Sequence, residues 1–176
     1  MAIVFDKEKQ LFTLTTKSTT YQMQIGPLGY LLHLYYGRRA GGCFAYLHLP
    51  RDCGFSPNPY ELQADRGWSL DTMPQEYSGS NGGDFRIPSV EAESERGQLG
   101  ADLHYLRHEI QKGKFALNGL PAAFDRGGEC DTLLITLADA STGLEVELKY
   151  GVFEEKDVIA RAACIRNGGG GKIRLE

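Results

Sequence analysis

Residues 144–150 read Leu144-Glu145-Val146-Glu147-Leu148-Lys149-Tyr150. Apolar and charged side chains alternate without a break. On an extended chain this puts Leu144, Val146, Leu148 and Tyr150 on one face and Glu145, Glu147 and Lys149 on the other. One face is buried and one is wet. The same habit extends outward in both directions. Residues 132–137 predict a strand; residues 102–112 read as helix or strand, and the alternation of His104, Leu106, His108 and Ile110 with Leu103, Tyr105, Arg107 and Glu109 suits a strand. Lys112-Gly113-Lys114 then reads as a hairpin-like turn. Residues 157–165 predict a further strand, closed by a flexible turn from Asn167 through Gly171 that reads as a hairpin. Residues 172–175 alternate once more and have no successor, which suggests a piece of something longer.

The first part of the chain reads the same way. Residues 3–5, 11–16 and 20–25 predict short strands, the last with Tyr21, Met23 and Ile25 against Gln22 and Gln24. Residues 30–36, YLLHLYY, predict a central strand covered on both faces. Residues 88–94 predict a short edge strand. Turn-formers such as Gly26-Pro27-Leu28-Gly29 separate these runs. Strands at regular spacing, joined by turns and without a convincing helix, predict an all-β sandwich of antiparallel strands.

With 176 residues the chain is one domain, 1–176, long enough to bury a core. A net charge of −4 and the lack of a basic stripe argue against nucleic acid as a partner. No apolar run approaches the roughly 20 residues that span a bilayer, so no membrane is expected. The start lacks the pattern of a secretory signal. The four cysteines form no CxxC pair, which predicts free thiols in a cytoplasmic protein and neither metal nor cofactor.

One stretch breaks the pattern. Residues 50–86 hold the only tryptophan, Trp68, with Asp52, Asp65, Asp71 and Asp84 close to Arg51, Arg66 and Arg86. A long irregular insertion in a compact domain is either functional or disordered, and aromatics among paired charges argue for function.

The whole chain resembles the amino-terminal domain of the bacterial α-galactosidases (melibiases) of glycoside hydrolase family 36. The segments that carry the resemblance are RDCGFSPNP at 51–59, WSLDTMPQEY at 68–77, GDFRIPS at 83–89 and the stretches that follow, in the same order. The resemblance implies a β-supersandwich that precedes a catalytic (β/α)8 barrel absent from this chain. It implies hydrolysis of terminal α-1,6-linked galactose, as in melibiose and raffinose-type sugars, with retention. Two carboxyl groups about 5 Å apart on the barrel would perform that double displacement. No residue here is therefore expected to be catalytic. The domain would supply substrate-binding residues and a subunit contact in a homotetramer. The alternative is a stand-alone carbohydrate-binding or assembly module.

Two positions match family residues tied to the α-galactoside substrate. Asp52 matches an aspartate that hydrogen-bonds sugar hydroxyls, for which two acceptor oxygens are suited. Its other reading is a turn aspartate or a partner of Arg51. Trp68 matches an aromatic near the pocket entrance, and its other reading is a core or interface anchor. Cys53 departs from the family, where a basic residue is common at that position, and the Gly41–Ala45 stretch varies too. By their chemistry alone, Asp71, Gln75 and Glu76 read as residues that tie the loop to the scaffold, rather than as an acid–base pair. His104 and His108 lack the intervening glutamate of a zinc helix and read as two polar groups on a strand.

Overall fold

A computed structural model of the chain describes residues 2–48, 50–52, 54, 58–62, 64–80 and 83–176. In chain order the strands are β1 (Ile3–Asp6), β2 (Leu11–Thr15), β3 (Thr19–Ile25), β4 (Leu31–Arg38), β5 (Ala92–Ser94), β6 (His104–Lys112), β7 (Cys130–Ala138), β8 (Leu144–Phe153), β9 (Val158–Asn167) and β10 (Ile173–Leu175). Strands β1 to β4 form one antiparallel sheet and β6 to β9 another, while β10 pairs with β5 in a small ribbon. The expected all-β supersandwich is what forms. Among the described residues, no helix is long and apolar enough to cross a membrane.

The alternation of β8 explains the packing. Its register sets Tyr150 opposite Leu133, Leu148 opposite Ile135 and Val146 opposite Leu137. One face of the second sheet is thus continuous hydrocarbon, and it meets Phe12, Leu14, Tyr21 and Met23 of the first sheet in the main core. Side chains there are almost fully removed from water, which is the dominant favourable contribution to folding. Two smaller clusters cover the other face of the first sheet. One holds Tyr30, Leu32, Trp68, Leu70 and Met73, the other Leu11, Leu34 and Phe44.

Three expectations are corrected. The 30–36 strand is not central, because β4 stands at the end of its sheet. It reads as central because both of its faces are covered: Leu31 enters the main core, while Leu32 and Leu34 enter the two smaller clusters. Its outer edge is also closed. The loop lies along it with the His33 amide donating to the Pro74 carbonyl at 2.8 Å and the Glu76 amide to that of Leu31 at 2.8 Å. Next, Lys112-Gly113-Lys114 is no tight hairpin, since residues 113–129 intervene before β7 returns. The glycine run after Asn167 likewise carries the chain off the second sheet, and β10 pairs with β5, not with β9. Asn167 organises that turn by accepting from the Gly169 amide and donating to the Gly171 carbonyl. Among the described residues Cys43, Cys130 and Cys164 are free. Cys53 lies outside the described residues, as do positions 55–57 of the 51–59 segment.

Candidate functional site

The described residues of the 50–86 loop are folded, and its two ends behave differently. At its base Glu76 is the centre of a cage, with its side chain 2% exposed. Tyr21 of β3 and Tyr150 of β8 donate their hydroxyls to it at 2.7 and 2.8 Å. His33 of β4 lies 3.1 Å away through Nδ1, and Arg161 of β9 donates through Nη2. The Arg161 guanidinium also faces the rings of Tyr150 and Tyr21 at 5.3 and 5.6 Å. Burial pushes the Glu76 carboxyl up, but His33, Arg161 and the two phenols outweigh it and hold it below its ordinary value. Both phenols are shifted up, chiefly by burial and by the Glu76 charge. One loop residue is thereby bonded to strands of both sheets.

Next to the cage, Arg86 folds back over the loop. It donates to Asp84 Oδ1 at 2.7 Å and to the carbonyls of Leu70 and Met73 at 2.9 and 2.6 Å. Asp84 in turn accepts from Gln75 at 3.0 Å. The guanidinium thereby gives the Leu70 carbonyl a donor and adds a second one to the Met73 carbonyl, which also accepts from the Gln75 amide. Gly79 allows the close approach that follows: a Cβ there would stand 1.9 Å from the Ala101 carbonyl oxygen.

Trp68 is 5% exposed, with its ring 5.6 Å from that of Tyr30 in a tilted pair. It packs as an anchor within the domain, and its faces are occupied by protein. Beyond it the loop turns back on itself. The Arg51 amide donates to the Gly67 carbonyl at 2.9 Å, and the Asp65 carbonyl accepts from the Trp68 amide and from Asn58.

Asp52 stands at the exposed end. Its partner is Arg66, not Arg51: Nε meets Oδ2 at 2.8 Å and Nη2 meets Oδ1 at 3.3 Å. The Gly54 amide donates to Oδ1 at 2.8 Å. Half of the Asp52 side chain, 51%, remains open to solvent. The Arg66 hydrogen bond, then the Gly54 amide, hold its carboxyl below the usual range. Asp52 is therefore ionised, oriented and accessible, the properties of a carboxylate that can accept from ligand hydroxyls.

Sequence reasoning placed Asp52 and Trp68 in one loop, and both lie on it, one at the tip and one in a core. It gave Glu76 its tethering role but missed the partners Tyr21, His33, Tyr150 and Arg161. One signal was available. Two tyrosines at inward positions of alternating strands need a buried acceptor for their hydroxyls. Asp71 and Glu76 are not brought together as an acid–base pair, because Glu76 is sealed from solvent. His104 and His108 do not meet either. His104 binds Asp102 and the Leu28 carbonyl, while His108 bonds Tyr105 and lies against Phe5. Among the described residues no group of His, Cys, Asp and Glu could hold a metal ion.

The family model described as the Glycosyl hydrolase family 36 N-terminal domain matches residues 29–176. The bifunctional alpha-galactosidase/sucrose kinase AgaSK of Mediterraneibacter gnavus is 48% identical over 176 residues, spanning 100% of this chain and 19% of that protein. The solved galactosidase domain of AgaSK superposes with a TM-score of 0.95 at 47% identity, over 99% of this chain and 24% of that one. A variant of alpha-galactosidase AgaA from Geobacillus stearothermophilus, solved in complex with raffinose, gives 0.88 at 41% identity, over 94% of this chain and 23% of that one. The chain thus spans about a fifth to a quarter of the length of these relatives.

Proposed function

The chain belongs to the glycosyl hydrolase family 36 N-terminal domains, and from that premise we propose that it is the substrate-approach domain of an α-galactosidase. The parent enzyme removes terminal α-1,6-linked galactose from melibiose and raffinose-type sugars with retention. Its catalytic carboxyl pair belongs to a (β/α)8 barrel, not to this domain. The domain contributes Asp52 as an acceptor for sugar hydroxyls and a contact surface in a homotetramer. Trp68 acts through the loop by anchoring the stem that presents Asp52.

The observation that carries this reading is the contrast at Asp52. A carboxylate half open to solvent is gripped by Arg66 and the Gly54 amide, at the end of a loop whose base is buried. An acceptor fixed before binding loses little freedom when the ligand arrives, and it raises kcat/KM by positioning. The raffinose complex of the Geobacillus relative supports the substrate class.

The test is Asp52→Ala in the full-length parent enzyme, with kcat/KM measured on raffinose. A fall on the order of 10- to 100-fold is expected from the loss of a charge-assisted hydrogen bond in the transition state. Unchanged kinetics in a folded variant would remove Asp52 from the site. The isolated chain, assayed on an aryl α-galactoside, should show no turnover. Turnover would place the chemistry in this domain.

A further inference from the structure

Beneath the loop, where Trp68 packs on Tyr30, sits a second polar cluster that the proposed function does not use. His104, at the start of β6, has an acceptor at each ring nitrogen. Nδ1 is 2.7 Å from the Leu28 carbonyl and Nε2 is 2.9 Å from Asp102 Oδ2. The other Asp102 oxygen accepts from the Tyr30 hydroxyl at 2.8 Å, and the Tyr30 ring lies 4.5 Å from the His104 ring. A carbonyl can only accept, and so can an ionised carboxylate. A neutral imidazole carries one N–H and can serve one of the two. Only the imidazolium both donates to the carbonyl and sets a positive charge against the carboxylate, where a neutral ring that donates through Nδ1 turns the Nε2 lone pair towards it.

We propose that His104 is a pH-sensitive pin. Its doubly protonated ring clamps the Pro27–Gly29 turn and Asp102 together under the stem of the loop, and deprotonation releases one side of the clamp.

The groups around the ring favour the charged form. Asp102 faces it from its own segment and Tyr30 from the start of β4. Glu61 of the Tyr60–Leu62 turn lines the same cavity, and Asp139 at the end of β7 adds its charge. Partial burial pulls the His104 pKa down. The Asp102 and Leu28 hydrogen bonds and the two aspartate charges outweigh it and raise the pKa above the ordinary 6.5. A raised folded-state value means that the clamp is complete below about pH 6.5 and is lost as pH climbs through the higher value. Release frees the Pro27–Gly29 turn or Asp102. Either change reaches Trp68 through Tyr30, which touches both rings.

The chain carries its own reporter, since Trp68 is the only tryptophan. Its emission, titrated from about pH 5 to about pH 9, should show one transition with a midpoint above 6.5. His104→Asn should abolish that transition. Asp102→Asn should move it to lower pH, since it removes the facing anion. His48→Asn should leave it in place. Because His104→Asn can impair folding, 15N NMR of the unaltered chain provides a second reading. Two protonated ring nitrogens on His104 at about pH 6.5 support the pin. A transition that survives His104→Asn, a midpoint at or below 6.5, or a neutral His104 ring at that pH overturns it. None of these readouts depends on the sugar the parent enzyme cleaves.

Discussion

The base and the tip of one loop obey opposite rules. At the base, Glu76 is sealed from water and bonded to strands of both sheets, and Trp68 is sunk among Tyr30, Leu32, Leu70 and Met73. At the tip, Asp52 and Arg66 pair through two guanidinium nitrogens and remain open to solvent. Buried groups contribute stability because removing them leaves a cavity or an unpaired charge. Exposed pairs contribute almost none, because water and salt screen them. A carboxylate held in a fixed pose without gaining stability from it is what the proposed role of Asp52 as a sugar acceptor requires.

The contrast breaks most visibly at Trp68. Trp68→Ala should destabilise the domain by about 3–5 kcal/mol, read as a lower urea midpoint by circular dichroism. A small effect would mean that the indole is not a core anchor, and the pocket reading would regain ground. Glu76→Gln comes next, at about 3 kcal/mol, because Arg161 and the two phenols lose their charged partner. Its pH dependence has a definite sign. The Glu76 carboxyl is depressed in the folded state, so its contribution is present above its ordinary 4.5 and is lost as pH falls through the lower folded value. The acid limb of stability should therefore be shallower in Glu76→Gln than in the unaltered chain. Equal limbs would show that the cage is not where the domain senses acid.

Asp52→Ala reverses the pattern. It should leave the urea midpoint unmoved while lowering kcat/KM of the parent enzyme on the order of 10- to 100-fold. A variant that loses stability and keeps activity would turn the comparison upside down.

The sequence made one half of this contrast readable and hid the other. Strand alternation depends on neighbours two residues apart, so residues 144–150 announced β8 and its inward face without help. Burial was equally plain in residues 30–36, but apolar runs report coverage and are silent on hydrogen-bond order. A strand covered by Trp68, Leu70 and Phe44 reads like one flanked by other strands. The Glu76 cage was out of reach for a different reason. Its partners sit at 21, 33, 150 and 161, on four strands of two sheets, and only the folded chain brings them together. Asp52 was identified through the resemblance of its segment, and nothing local in the sequence chose Arg66 over the adjacent Arg51 as its partner.

That choice of partner supplies the smallest and most discriminating prediction. Arg66 meets Asp52 with two nitrogens, at 2.8 and 3.3 Å, so the carboxylate is held in plane as well as in place. A lysine would keep the charge and lose the fork, leaving Asp52 with one cationic contact beside the Gly54 amide. Arg66→Lys should then raise KM of the parent enzyme by about two- to five-fold, with kcat and the urea midpoint unchanged, since only pre-orientation is lost. A loss as large as that of Asp52→Ala would mean that the guanidinium itself contacts the sugar. No change at all would mean that Asp52 is oriented by the Gly54 amide alone, and that the ion pair at the tip is incidental to binding.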